Sequence, residues 1–301
     1  MKLIKPYFEI WEQSAGLEGA YKQIERVGRV CYKSEDKITE DSAKPFVDRM
    51  IKSGHGAMLE HGTVYLQYET AKSATNPLMK YYLNKYSKVK VKEGLIGKTA
   101  RLFVTTNFRV LVENDWLKDL KYICEPTMFH EKRITVHFVC DRGVSHEFVR
   151  HRVMSFAQES TRYCNYSKDK FGNELTFIKP CWLDIPTGHY AYWDGDWCDI
   201  NKMKIQLPEG EHKDIDAFLW TLNNAETHYT LLINSGWKPQ EARAILPNSL
   251  KTELVVTGFT SDWNHFFDLR ARGTTGAPHP QAKELAEPLM KEFIARKYIN
   301  N

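Results

Sequence analysis

The segment from Arg150 to Tyr163 reads Arg-His-Arg-Val-Met-Ser-Phe-Ala-Gln-Glu-Ser-Thr-Arg-Tyr. It begins with two arginines and a histidine side by side on a predicted helix, and Arg162 follows with two hydroxyl residues. Because these cationic groups repel one another, an anion is expected among them. Guanidinium groups suit phosphate oxygens, and hydroxyls add further donors. The segment therefore predicts an anion or nucleotide-phosphate site, and the competing interpretation is a salt-bridged surface helix.

The composition is typical of a globular protein and excludes several classes. The chain has 301 residues, is 42% hydrophobic and carries a formal net charge of +4. That charge is too mild for a dedicated DNA-binding protein. No run of 18 apolar residues occurs, so we expect no membrane span. Glu9 and Glu12 interrupt any apolar signal segment, and we therefore expect a cytoplasmic protein.

The cysteines and histidines give no metal-site pattern. None of the six cysteines forms a Cys-x-x-Cys pair, which argues against a zinc ribbon or a dithiol redox site. His146 and His151 resemble the ligands of a zincin helix, but zinc needs the second histidine at the position where Arg150 stands. The sequence predicts no metal and reduced thiols.

Hydrophobic periodicity predicts long helices and separated strands. A helix capped by Asp41 or Ser42 is expected to stop at Gly54. The other predicted helices are 17–32, 75–91, 144–156, 215–235, 239–246, 263–271 and 281–298, and the predicted strands are 3–10, 63–68, 103–112, 134–139 and 250–259. This order indicates an α+β fold rather than regular βαβ alternation.

The spacing of Arg150-His151-Arg152, seven residues and then Ser160 resembles the signature of flavin-dependent thymidylate synthases. Further elements of that family are matched in the same order by Leu59-Glu60-His61, Ala242-Arg243-Ala244-Ile245-Leu246-Pro247, His265-Phe266-Phe267-Asp268-Leu269-Arg270 and His279. The likeness covers most of residues 17–75, 130–165 and 213–298. It implies one domain over residues 1–301, with insertions near 75–125 and 165–212.

The resemblance also implies a fold and a reaction. The fold would be a single mixed domain of long helices packed on a mainly antiparallel sheet, assembling as a homotetramer with shared active sites. The enzyme would be a flavin-dependent methyltransferase that converts dUMP to dTMP. The carbon would come from 5,10-methylenetetrahydrofolate and the hydride from NADPH-reduced FAD. No cysteine nucleophile is implied, because the segment Pro180-Cys181-Trp182 lacks the histidine of the unrelated cysteine-dependent thymidylate synthases.

Residue roles follow from the same resemblance. Arg270 would be catalytic, since a fixed guanidinium beside uracil N3 and O2 favours negative charge on the ring. The residues implied to bind dUMP are Glu147, Arg150, Gln158, Glu159, Ser160, Thr161, Arg162, Arg243 and Arg270. The residues implied to bind FAD are His61, Thr63, Arg150, His151, Arg152, Gln158 and His265. Some relatives carry glutamine at the position of Glu147.

Two alternative functions stay open at the level of sequence. A nucleic-acid-binding protein would use the Arg-His-Arg segment together with Lys80, Lys85, Lys88, Lys90 and Lys92, although these lysines favour a solvated helix face and an edge strand. A diverged NADPH–flavin oxidoreductase would keep FAD and lose methylation. Salt dependence of binding to polyanions distinguishes the first, and NADPH oxidation without dTMP distinguishes the second.

Overall fold

The computed structural model describes residues 1–71, 76–93, 99–168, 171–208 and 213–300. The strands are β1 (Lys2–Ile4), β2 (Tyr7–Trp11), β3 (Thr63–Ala71), β4 (Lys88–Glu93), β5 (Thr99–Asn107), β6 (Arg133–Asp141), β7 (Ser155–Gln158), β8 (Thr176–Ile178), β9 (Gly188–His189), β10 (Ala191–Trp193), β11 (Asp196–Cys198) and β12 (Lys251–Phe259). The helices are α1 (Gly16–Tyr32), α2 (Ala43–Lys52), α3 (Gly56–Leu59), α4 (Phe108–Glu113), α5 (Arg142–Phe148), α6 (Lys213–Asn234), α7 (Pro239–Ala242), α8 (Thr260–Phe267) and α9 (Pro280–Ala295).

The central sheet is antiparallel and has the strand order β2-β6-β12-β7. Within it, Val255 of β12 is paired with His137 of β6 on one side and with Ala157 of β7 on the other. Side chains alternate along a strand, so Leu254 and Val255 of β12 point to opposite faces. Both β6 and β7 run antiparallel to β12, which lies between them. The first residues of β6 and β7 therefore lie at the same end of the sheet.

Helices cover both faces of this sheet. On one face, Leu254 and Val256 belong to an apolar core that includes Trp263 of α8 and Leu285 of α9. On the other face, Val255 packs in a cluster with Val27 of α1. Because helices cover both faces, every residue of β6 is buried, including the polar Arg133, Thr135, His137 and Asp141.

A second antiparallel sheet, β3-β5-β4, packs beside α1 and α2. Val64 and Leu66 of β3 lie in one core with Ile24 of α1 and Phe46 of α2. β4 lies at one edge of this sheet and pairs only with β5 among the described residues. Its lysines are exposed. Lysines on an edge discourage pairing with another chain.

A third sheet, β8-β1-β9, packs against α6. Its β1–β8 pair is parallel, whereas the β1–β9 pair is antiparallel. Leu3 of β1 and Leu219 of α6 are both completely buried in the associated core. The mainly antiparallel α+β arrangement expected from the sequence is thus confirmed.

Four sequence expectations at the level of single elements are wrong. The segment 75–91 is no helix: its described residues form a 3-10 turn at Met79–Leu83 and enter β4 at Lys88, while Thr75 lies outside the described residues. In β4 the Lys/Val alternation has the two-residue period of a strand. The strand expected at 3–10 is divided between two sheets, because Pro6 separates β1 from β2 and proline has no N–H for a ladder.

The other two errors concern elements that end early. The strand expected at 103–112 stops at Asn107, whose side chain accepts a hydrogen bond from the Val110 N–H and so caps α4. The helix expected at 144–156 ends at Phe148, and Ser155 already belongs to β7. Three further helices, 17–32, 215–235 and 281–298, are confirmed to within a few residues as α1, α6 and α9.

No helix among the described residues is long and apolar enough to cross a membrane. Within the same ranges, no group of three or more histidine, cysteine or acidic side chains has the arrangement of a metal site. The insertions expected near 75–125 and 165–212 contain β4 and β5 and the strands β8 to β11 respectively, and both segments include residues outside the described ranges. Their identification as insertions stays a prediction.

Candidate active site

The Arg150-His151-Arg152 segment lies in a turn between α5 and β7, not on the helix expected from the sequence. The turn makes the three side chains diverge. Arg150 and Arg152 are exposed, and within the described ranges neither forms a salt bridge, whereas His151 is only 6% exposed. Two unpaired guanidinium groups at one edge of the central sheet are suited to phosphate oxygens. This donor set fits the diphosphate of FAD.

Arg270 faces the same turn from a π-helical turn, Asp268–Arg272, that follows α8. Its Nη1 donates to Glu147 Oε2 at 2.5 Å, its Nη2 donates to the main-chain oxygen of Glu147 at 2.9 Å, and its Nε donates to His151 Nε2 at 3.3 Å. The expected catalytic arginine and two other predicted site residues therefore meet in one cluster. π-Helical turns are rare and frequently occur at functional sites.

His151 is neutral in this cluster. Burial, together with the positive charges of Arg270 and His265, lowers its pKa to about 4. Because an arginine has no acceptor, the contact with Arg270 requires an unprotonated Nε2, which leaves the ring proton on Nδ1. The His151 ring also packs against His265 and Phe266, with centroid distances of 5.8 and 5.0 Å. His265, the last predicted flavin residue in the chain, therefore lies in the same cluster.

A second group of predicted residues lies beyond the other end of β7. Arg243 Nη1 donates to Thr161 Oγ1 at 3.3 Å, and Arg162 Nε donates to Gln240 Oε1 at 3.3 Å. Ser160 Oγ accepts the Arg162 N–H at 3.3 Å. Both guanidinium groups are exposed and have no acidic partner among the described residues. Two arginines with neighbouring hydroxyls provide the donors that a phosphate requires.

Gln158 and Glu159, adjacent at the end of β7, point to opposite faces of the sheet. Gln158 Nε2 donates to Ser145 Oγ at 2.9 Å and to Thr252 Oγ1 at 3.1 Å. Glu159 is 1% exposed and accepts hydrogen bonds from Tyr166 and Lys251. The Glu159 carboxylate, which the sequence predicts to contact dUMP, is thus buried and already hydrogen-bonded within this chain.

The two remaining predicted flavin residues are buried as well. His61 Nδ1 lies 2.8 Å from Thr257 Oγ1, and burial lowers the pKa of His61 to about 3. Thr63 Oγ1 accepts from Arg133 Nη1 at 3.3 Å. Arg133 also donates to the main-chain oxygen of Glu60, and burial lowers its pKa to about 10. Within the described chain, His61 thus contacts Thr257 of β12, and Arg133 links Thr63 to Ser155 at the start of β7.

Sequence reasoning missed several buried polar residues around the site. Arg133 joins β6 to the start of β7 through a 3.2 Å bond to Ser155 Oγ. On the same face of the sheet, Glu253 accepts hydrogen bonds from Lys33, Lys251 and His137. The available signal was a charged residue inside an otherwise apolar strand, since such residues are buried only when they are paired.

Cys181 has no arrangement that would activate it as a nucleophile. Its side chain is exposed, and burial together with the charge of Glu284 raises the pKa of the thiol. A nucleophilic cysteine needs its thiolate form at neutral pH, which a neighbouring base or cation would have to favour. The structure therefore offers no support for a covalent step through Cys181.

Comparisons with known proteins add a family match. The model of the family described as "Thymidylate synthase complementing protein" matches residues 92–296. A flavin-dependent thymidylate synthase of Pyrococcus furiosus is 30% identical over 202 residues, which are 65% of this chain and 69% of that relative. A flavin-dependent thymidylate synthase of Corynebacterium aurimucosum is 22% identical over 284 residues, which are 93% of this chain and 78% of that relative.

A solved structure covers nearly the whole chain at low similarity. It is described as a "UMP/dUMP methylase PolB from Streptomyces cacaoi bound with 5-Br dUMP". The two chains are 17% identical, with a TM-score of 0.43, over 98% of this chain and 93% of the other.

Proposed function

This chain belongs to the thymidylate synthase complementing protein family, and from that premise we propose that it is a flavin-dependent thymidylate synthase that converts dUMP to dTMP. The carbon donor is 5,10-methylenetetrahydrofolate, and FAD supplies the hydride after its reduction by NADPH. We also infer that the enzyme works in the cytoplasm and takes no nucleic-acid partner.

The observation that carries this proposal is the Arg270 cluster. Carbon 5 of uracil is a weak nucleophile, and burial raises the pKa of the exposed Cys181 thiol rather than lowering it. A rigidly held guanidinium favours negative charge on the pyrimidine and so raises the nucleophilicity of that carbon. Arg270 is held by three hydrogen bonds and is 17% exposed, so it is fixed and partly desolvated before the substrate binds.

The remaining residues divide between the phosphate of dUMP and the flavin. Arg162 and Arg243, with the Ser160 hydroxyl, bind the phosphate, because they are exposed cations without acidic partners in the described structure. Arg150 and Arg152 bind the diphosphate of FAD for the same reason. His151 and His265 face the flavin. The His151 ring is uncharged at neutral pH, because its pKa is about 4. Gln158 hydrogen-bonds both ligands.

We infer that the active enzyme is a homotetramer with sites shared between subunits. No hydrogen bond or ion pair among the described residues joins the Arg270 cluster to the Arg162 cluster. In a shared site the two clusters come from different chains, so mixing Arg162→Ala with Arg270→Ala subunits restores about a quarter of the sites in random mixed oligomers. Clusters that act within one chain give no restoration. Dilution to the monomer releases FAD, and a monomer that retains FAD contradicts the shared site.

The reaction itself is tested by mass analysis of the nucleotide. Purified protein is incubated without oxygen with dUMP, methylenetetrahydrofolate, FAD and NADPH, and matched reactions omit NADPH or FAD. The expected product is dUMP plus one methyl group, formed only in the complete mixture. A bound, reducible flavin without methylation would instead indicate an NADPH–flavin oxidoreductase. A protein that binds no flavin but binds polyanions with steep salt dependence would be a nucleic-acid-binding protein.

A further inference from the structure

Two of the three hydrogen bonds that orient Arg270 come from one residue, Glu147. The Glu147 carboxylate accepts from Nη1 at 2.5 Å, and the main-chain oxygen of the same residue accepts from Nη2 at 2.9 Å. Two acceptors on one residue that contact the two terminal nitrogens fix both the position and the plane of a guanidinium group. The third contact, to His151, concerns only Nε.

Glu147 is itself well placed to act as a rigid support. It lies in the last turn of α5, whose first turn is capped by the Asp141 side chain accepting from the Val144 N–H at 2.8 Å. Late carbonyl groups of a helix lack intrahelical donors, and an arginine is a favourable partner for them. Phe148, the next residue, is completely buried in the core. The Glu147 carbonyl is therefore held in place by a helix that is anchored in the core through Phe148.

The pairing leaves donors free for a substrate. A guanidinium group has five N–H bonds, and the three hydrogen bonds of Arg270 use one on each nitrogen. Among the described residues, one N–H on each of Nη1 and Nη2 has no acceptor, and Glu147 fixes where these two point. The carboxylate also balances the charge of Arg270 beside the neutral His151. The ion pair is partly buried, with side-chain exposures of 17% and 32%.

We propose that Glu147 is the positioning residue of the site: it acts through Arg270, by aiming the two free N–H bonds at the pyrimidine, and it does not hold the phosphate of dUMP. This inference rests on the proposed function, because the pyrimidine is the target assigned to Arg270. It replaces the substrate-contact role that the sequence resemblance implies for Glu147.

Three variants test the proposal in the full-length, flavin-loaded protein. Glu147→Ala removes the carboxylate, and the freed Nη1 no longer fixes the guanidinium plane. A small displacement of a catalytic group reduces the rate by about 10- to 100-fold, so we expect kcat to fall by that factor. KM for dUMP changes by less than about threefold, because only a uniform loss of binding would appear in KM. Glu147→Gln keeps an acceptor oxygen for Nη1 and keeps kcat within about threefold of the unmodified enzyme.

The matched control is Asp268→Ala. Asp268 lies on the same π-helical turn as Arg270 and pairs with Arg272 at 2.9 Å on the exposed side. Its loss removes a carboxylate–arginine pair beside the site and leaves kcat unchanged. Thermal unfolding and flavin absorbance are recorded for every variant, so that a folding defect is recognised by a lowered midpoint and a lost flavin.

The outcomes separate this proposal from the proposed function. An unmodified protein that forms no dTMP contradicts the function itself. With an active unmodified enzyme, unchanged kcat in Glu147→Ala overturns the positioning role. A rise in KM at constant kcat overturns it as well and assigns Glu147 to dUMP binding. If Glu147→Gln is as impaired as Glu147→Ala, the negative charge rather than the hydrogen bond is required, and the proposal is wrong.

Discussion

Replacement of Glu253 by glutamine tests the buried charge network behind the site. The side chain of Glu253 is 12% exposed, and its carboxylate accepts from Lys251 at 2.7 Å, from Lys33 at 2.9 Å and from His137 at 3.0 Å. Removal of one partner from a buried ion pair costs about 3–5 kcal/mol. Because Lys251 keeps Glu159 and Lys33 keeps Glu35, we expect the lower end, about 3 kcal/mol.

The loss depends on pH in a defined direction. Burial opposes ionisation of Glu253, but the hydrogen bond from His137 and the charges of Lys251 and Lys33 outweigh it and hold the pKa well below the ordinary value of 4.5. A carboxyl group with a depressed pKa stabilises the fold above its unfolded-state pKa, and this contribution is lost as the pH falls towards its folded-state pKa. The difference between the two proteins is therefore constant from pH 7 to 5 and shrinks below about pH 4.5.

The assay is urea unfolding of both proteins at fixed protein and FAD concentrations, because ligands and oligomers shift apparent stability. Glu18→Gln is the matched control, since Glu18 pairs with Lys22 on the exposed face of α1 and solvent screens such a pair, so stability stays nearly unchanged. A loss below about 1 kcal/mol for Glu253→Gln at pH 7 would refute the reasoning, as would a difference that does not shrink in acid.

Three further substitutions address the site. Arg270→Ala abolishes methylation and keeps most of the flavin, measured by dTMP formation and by flavin absorbance; normal turnover contradicts the catalytic role. Cys181→Ala keeps activity, because the exposed thiol has a raised pKa; loss of dTMP formation in a folded variant would point to a covalent cysteine step. Gly273→Ala places a side chain at a φ of 70°, with its Cβ 2.9 Å from Pro278 Cδ. The resulting strain lowers the thermal midpoint by an amount equivalent to about 2 kcal/mol. Unchanged stability contradicts this strain.

Much of the architecture is encoded locally and could be predicted from the sequence. The apolar stripe of α1 and the alternation of β3 depend on neighbours only a few positions away, which is the range that periodicity measures. The same range misled the prediction at 144–156. There the sequence continues a helical pattern, but pairing of Ser155–Gln158 with β12, almost a hundred residues away, makes those residues a strand.

The candidate site divides in the same way. The sequence by itself determined which residues are predicted to carry the chemistry, since the Arg-His-Arg segment, Ser160, Arg162 and Arg270 form a recognisable pattern. Only the tertiary structure decided that Arg270 is held by Glu147 and that Glu159 is closed off by Lys251. Residue type fixes charge and hydrogen-bonding capacity, whereas pairing and burial depend on which distant strands and helices pack together.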